Sequence, residues 1–125
     1  MNLPDNLKYT EEHEWVKPEG DLLIVGITDY EQRELGDIVF VELPIQDENF
    51  KSSDSFGTVE AVKTVSDLYM PLTGTIIEVN KALEDNPELI NIDPYGDGWI
   101  IKIKANYNND VNALLDASKY KDIIS

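Results

Sequence analysis

Hydrophobic and polar positions along the chain change over in short bursts, a rhythm that suits strands better than long helices. Residues 22–27, Leu22-Leu23-Ile24-Val25-Gly26-Ile27, form a β-rich run behind the turn signal Pro18-Glu19-Gly20-Asp21. Residues 38–43 predict a second strand, closed by Pro44, and residues 57–62 and 65–70 predict two more. Strands over 75–79 and 99–104 follow. Many short strands punctuated by Gly and Pro predict a sandwich or barrel. Two helices interrupt them. Thr28 with Glu31 three positions later matches a capping box, and Gly36 stops that helix after about two turns. A second helix is expected to begin near Asn109-Asp110 and to run, with apolar positions at Val111, Leu114 and Leu115, toward the C-terminus.

One stretch echoes another. Gly36-Asp37-Ile38-Val39-Phe40-Val41 and Gly74-Thr75-Ile76-Ile77-Glu78-Val79 share the pattern Gly-x-Ile-(Val/Ile)-x-Val, offset by 74 − 36 = 38 residues. Two half-domains related by pseudo-symmetry would produce it, as would two ordinary strand starts.

Length and charge narrow the picture. The 125 residues suit one domain spanning 1–125. There is no cysteine, so disulfides, thiolate metal sites and cysteine nucleophiles are excluded. The single histidine rules out a histidine-rich metal centre. A formal net charge of −15 disfavours nucleic acid and anionic membranes and favours partners with basic faces. No apolar run approaches the ~20 residues of a bilayer crossing, and the N-terminus reads as neither a secretory nor a transit signal. The expected setting is the bacterial cytoplasm, with the mitochondrial matrix as the alternative.

Catalytic constellations are nearly absent. Glu11-Glu12 and Glu84-Asp85 read as solvated acids, His13 as a structural histidine, and Trp15 and Trp99 as core aromatics. Lys63 stands out. It is the sole cation between Lys51 and Lys81, with apolar neighbours on both sides and carboxylates at Glu60 and Asp67. At the apex of a hairpin such a lysine would offer its amine to an acylating enzyme, whereas on an edge strand it would merely discourage sheet pairing. Val62-Lys63 lacks the Asn-Gly chemistry of a tight hairpin turn, so the local residues leave both readings open.

Several segments in order resemble the glycine cleavage H-protein family over roughly residues 3–122. They are Leu7-Lys8-Tyr9-Thr10-Glu11-Glu12-His13-Glu14-Trp15-Val16, then Gly26-Ile27-Thr28-Asp29-Tyr30 with residues 35–44, then Phe56-Gly57-Thr58-Val59-Glu60-Ala61-Val62-Lys63, and later Pro71-Leu72-Thr73-Gly74 and Pro94-Tyr95-Gly96-Asp97-Gly98-Trp99. The resemblance implies a mainly β fold, a flattened hammerhead-type barrel with short helices including one at the C-terminus. It implies a carrier and not an enzyme, with lipoate attached to Lys63 and Glu60 recognised by the lipoylating enzyme. Glu14 and Asp67 become candidates to shelter the loaded arm. The implied partners are glycine decarboxylase, aminomethyltransferase, dihydrolipoamide dehydrogenase and a lipoate ligase or octanoyltransferase, with the carrier itself a monomer. Departures are mild: Thr64 stands where alanine is frequent, Ala61 where serine is, and residues 45–49 replace a glycine-richer loop. A lipoyl domain of a 2-oxo-acid dehydrogenase would be shorter and would lack His13-Glu14-Trp15, and Val62-Lys63-Thr64 is not the Met-Lys-Met of biotin carriers. A lipoyl donor to other complexes and an unmodified interaction scaffold remain as alternatives.

Overall fold

A computed structural model describes all residues 1–125. Nine strands fall into two sheets. The larger runs in the order β1(Lys8–Tyr9), β2(Glu14–Glu19), β3(Leu22–Ile27), β9(Ile101–Ala105), β8(Gly74–Val79) and β5(Asn49–Phe50). The smaller is β4(Ile38–Glu42), β6(Ser55–Ala61) and β7(Val65–Tyr69), in that order. All pairings are antiparallel.

Alternation along the strands explains how the sheets close on each other. Ile38, Val41, Val59 and Leu68 of the small sheet and Val16, Val25, Ile76, Ile101 and Ile103 of the large one are buried in a single apolar cluster. The result is a flattened barrel. A second cluster, Leu7, Tyr9, Trp15, Ala117 and Tyr120, binds the terminal segments to the outside of the large sheet. The Trp15 ring lies across Gly26, its cross-strand partner, where a Cβ would approach within 2.7 Å. Its Nε1–H donates to the Pro94 carbonyl at 3.0 Å. Trp99 is only half-buried, with the Lys102 ammonium 5.2 Å from its ring centre.

The 38-residue echo has a structural counterpart. β4 slips register between Ile38 and Phe40, and β8 slips between Ile76 and Glu78, so the bulges are offset by 76 − 38 = 38 residues as well. A bulge repeated at matching positions of both segments favours the half-domain reading over two unrelated strand starts.

The first helix lies where its caps put it, α1(Asp29–Leu35), with the Glu31 N–H donating to Thr28 Oγ1 at 3.1 Å. The capping box is one-sided, because the Thr28 N–H is taken by the His13 carbonyl at 3.0 Å. The expected helix from residue 109 is broken. Residues Asn108–Ala113 form a 3-10 turn, Leu115 pairs with Tyr9 through two backbone hydrogen bonds of 2.8 and 2.9 Å, and a separate helix α4(Ala117–Ile124) starts under an Asp116 cap. Two one-turn helices, α2(Ala82–Asp85) and α3(Leu89–Ile92), sit between β8 and β9 without a sequence signal strong enough to announce them.

Candidate functional site

Lys63 lies in the two-residue loop of the β6–β7 hairpin. The Ala61 N–H donates to the Thr64 carbonyl at 2.8 Å, leaving Val62 and Lys63 as the turn itself. Neither has the positive φ of the turns that favour two-residue hairpins. A strap from outside compensates: the Val62 N–H donates to the Asp37 carbonyl at 3.1 Å and ties the tip to the start of β4. Gly36, just before it, adopts φ 81°, ψ −158°, a conformation essentially confined to glycine. A Cβ there would stand 3.6 Å from Lys63 Cε, so the lysine stem passes over bare backbone at the end of α1. Lys63 is exposed and forms no ion pair, and the same holds for Glu60.

The outer face of β7 leads away from this tip. Val65, Asp67 and Tyr69 share that face, and the strand advances roughly 13 Å between the first and the last. At its far end lies a cleft of about 270 Å³. Met70, Pro71, Leu114 and Leu115 give it apolar walls, Thr10 and Tyr69 polar ones, and Glu14 forms its floor.

Glu14 opens β2 behind a four-residue turn and is 2% exposed. Thr10 Oγ1 donates to its Oε1 at 2.8 Å, and the Tyr69 N–H reaches its Oε2 at 3.3 Å. Burial pushes its pKa up to about 8; those hydrogen bonds oppose the shift, and the nearby Glu12 and Glu31 charges add to it. Glu31 itself is pushed up to about 7 by burial, with Glu34 and Glu12 contributing. Asp67 is exposed, 3.4 Å from Ser55 Oγ, and its charge is the largest cause of a raised Tyr69 pKa, with Glu12 and Glu14 acting in the same direction. Tyr69 therefore joins the two sheltering candidates: its backbone bonds Glu14 and its ring carries the field of Asp67.

His13 takes no place in the cleft wall. It adopts φ 73°, and its Nδ1 lies 2.8 Å from the Tyr120 hydroxyl, which is 2.8 Å from Thr28 Oγ1. Burial lowers its pKa, consistent with a neutral ring whose Nδ1 accepts the Tyr120 proton. Tyr120 stacks on Tyr9 with ring centres 4.8 Å apart. The histidine thus fastens α4 to the tip of the β1–β2 hairpin, in a structural role and without a carboxylate partner. Tyr69 and the Leu114-Leu115 wall were not legible as site residues, since each reaches the cleft through pairing with a distant segment, and Thr10 carried no signal beyond its place in the turn before Glu14.

No group of acidic or histidine side chains is placed to hold a metal ion, and no helix is long and apolar enough to cross a membrane. The residues do fit a lipoyl group: an unpaired lysine at a pinned tip, an open strand face beside it, and at the end of that face a cleft with apolar walls on one side and the carboxylates of Glu11, Glu12 and Glu14 among its polar lining.

The family model described as glycine cleavage H-protein matches residues 7–125. The chain is 56% identical over 125 residues to the glycine cleavage system H protein of Bacteroides thetaiotaomicron, covering 100% of this chain and 99% of that protein. Identity to the Staphylococcus carnosus protein of the same name is 52% over 124 residues, covering 99% and 98%. A crystal structure of a glycine cleavage system H protein from Mycobacterium marinum superposes with a TM-score of 0.87 at 42% identity, covering 96% of this chain and 97% of that one. The chain belongs to the glycine cleavage H-protein family.

Proposed function

We propose that residues 1–125 work as one lipoyl-carrier domain, with Lys63 as the attachment point and Glu60 as the carboxylate read by the lipoylating enzyme. The family is the non-catalytic lipoyl carrier of glycine cleavage and works with the other enzymes of that system. For this chain the partners are glycine decarboxylase, which loads the aminomethyl group, aminomethyltransferase, which receives it, and dihydrolipoamide dehydrogenase, which reoxidises the arm. A lipoate ligase or octanoyltransferase installs the arm. The carrier acts as a monomer in the bacterial cytoplasm. When attached, the lipoyl group supplies the sulfur that bears the cargo.

The observation that carries the reading is the path from Lys63 along the outer face of β7 to Glu14. A cargo ending in an ammonium needs a carboxylate and few waters. Glu14 provides the buried carboxylate at the floor of a cleft whose walls are part apolar, with the exposed Glu11 and Glu12 also in its lining. With its pKa near 8 it is mostly protonated in the empty cleft at neutral pH. An entering ammonium favours the ionised form, so Glu14 releases its proton and holds the cation. Asp67 stands on the approach, where its charge draws the ammonium toward the cleft.

The test is the lifetime of the amine on loaded protein. Glu14→Ala and Asp67→Ala, with circular dichroism unchanged, should each release it faster, Glu14→Ala the more so. Equal lifetimes in all three proteins would remove both residues from the sheltering role.

A further inference from the structure

Four exposed large apolar side chains gather at the lysine hairpin. Val39, Phe40, Val62 and Val65 are 51, 53, 77 and 61% exposed. Strand register shows why three of the small sheet's residues form a row: Phe40 pairs with Glu60, and Glu60 with Val65. Directly paired residues project to the same side of an antiparallel sheet. Their sequence neighbours Val41, Val59 and Ala61 face inward and are buried. Val62 extends the row at the tip, and Val39 borders it in the bulge of β4. Glu60 sits in the middle without an ion-pair partner. On a chain of net charge −15, apolar side chains collected around one unpaired carboxylate mark a binding surface.

We propose that the row Phe40–Glu60–Val65, extended by Val62, is the docking surface for the enzyme that acylates Lys63, and that the enzyme meets it with an apolar patch carrying a cation opposite Glu60. The inference rests on Lys63 being the attachment point. Reach selects this partner. A bare lysine extends its amine no further than its own four methylenes, so an enzyme delivering an acyl group must close over the hairpin. Enzymes that act on the end of an attached arm work an arm's length away from the turn. In the acylation step the free-base amine adds to the carbonyl carbon of an acyl adenylate. A C–N bond forms, the C–O bond to phosphate breaks with its electron pair leaving on AMP, and the amine gives up its proton. Phe40 is the aromatic anchor of the row, and Glu60 sets the register of the cation against it.

The experiment uses unmodified full-length protein, a lipoate ligase, lipoate and ATP, and compares wild type with Phe40→Ser and Val65→Ser. Circular dichroism and acetylation of Lys63 by a small reagent serve as controls for fold and amine access. The expected result is a loss of about tenfold or more in kcat/KM for lipoylation, mostly in KM, for Phe40→Ser. Phe40→Ser, driven to full lipoylation by long incubation, should be turned over by dihydrolipoamide dehydrogenase at the wild-type rate. Lipoylation of both variants at the wild-type rate overturns the docking surface while leaving Lys63 as the site. A parallel loss with the dehydrogenase overturns the assignment to the acylating enzyme. An adduct on a lysine other than Lys63 in the wild-type protein overturns the attachment reading along with it.

Discussion

Glu14 offers a sharp test of the cleft, because a buried carboxyl with a raised pKa leaves a mark on stability. Its pKa rises from an ordinary 4.5 to about 8 on folding. Between those values the native state holds a proton that the unfolded chain has lost, so this group's contribution to stability is complete below about pH 4.5 and declines as pH climbs toward 8. Each pKa unit is worth about 1.36 kcal/mol. Integrating over pH 5 to pH 8 gives a decline of about 3 kcal/mol from Glu14 alone. Glu14→Gln keeps the shape and an acceptor for the Tyr69 N–H and removes the titration. Urea unfolding of both proteins at pH 5, 6, 7 and 8 isolates the effect. Glu31, raised to about 7, and His13, lowered from 6.5, titrate in both proteins and largely cancel in the difference. The stability of Glu14→Gln relative to wild type should therefore improve by about 3 kcal/mol from pH 5 to pH 8. A difference that stays constant with pH would refute a proton-holding Glu14, and with it the account of how the cleft receives a cation.

Two further outcomes follow from the same geometry. Tyr120→Phe removes the hydroxyl shared by His13 and Thr28 Oγ1, so it should cost about 1–3 kcal/mol and release α4, seen as faster amide exchange over residues 117–124. Docking to glycine decarboxylase should weaken as salt rises, since a net charge of −15 steers toward a basic face; a Michaelis constant for the carrier that is flat from low salt to 1 M would assign the acidity to solubility.

Sequence reading succeeded where structure is decided locally. Thr28, Glu31 and Gly36 bracket α1 by their own hydrogen bonds and dihedral angles, and the β-rich runs over residues 38–43, 57–62, 65–70 and 75–79, punctuated by Gly and Pro, placed the strands that form the core. It failed where the deciding partner is remote. The helix expected from residue 109 gives way to a break because Leu115 pairs with Tyr9, more than a hundred positions earlier in the chain. β1 and β2 went unread because neither alternates: β1 has two residues, and β2 buries Glu14, Trp15 and Val16 in succession and exposes Lys17, Pro18 and Glu19. The turn at Val62-Lys63 carries no signal of its own and is held by the Asp37 carbonyl. The burial of Glu14 was likewise invisible in a run of acids; only the fold brings Met70, Pro71 and Leu114 around it. The row Phe40–Glu60–Val65 needs the register of three strands, two of them separated by an irregular segment and a short strand of the other sheet.

The central claim is that Lys63 carries the arm. Expression with lipoate and a lipoate ligase, followed by intact mass and peptide mapping, tests it most directly. One lipoyl-sized adduct is expected, on Lys63 alone, together with a Lys63→Arg variant that folds and stays unmodified. An adduct on Lys51 or Lys81, or a Lys63→Arg protein that still gains the mass, would contradict it.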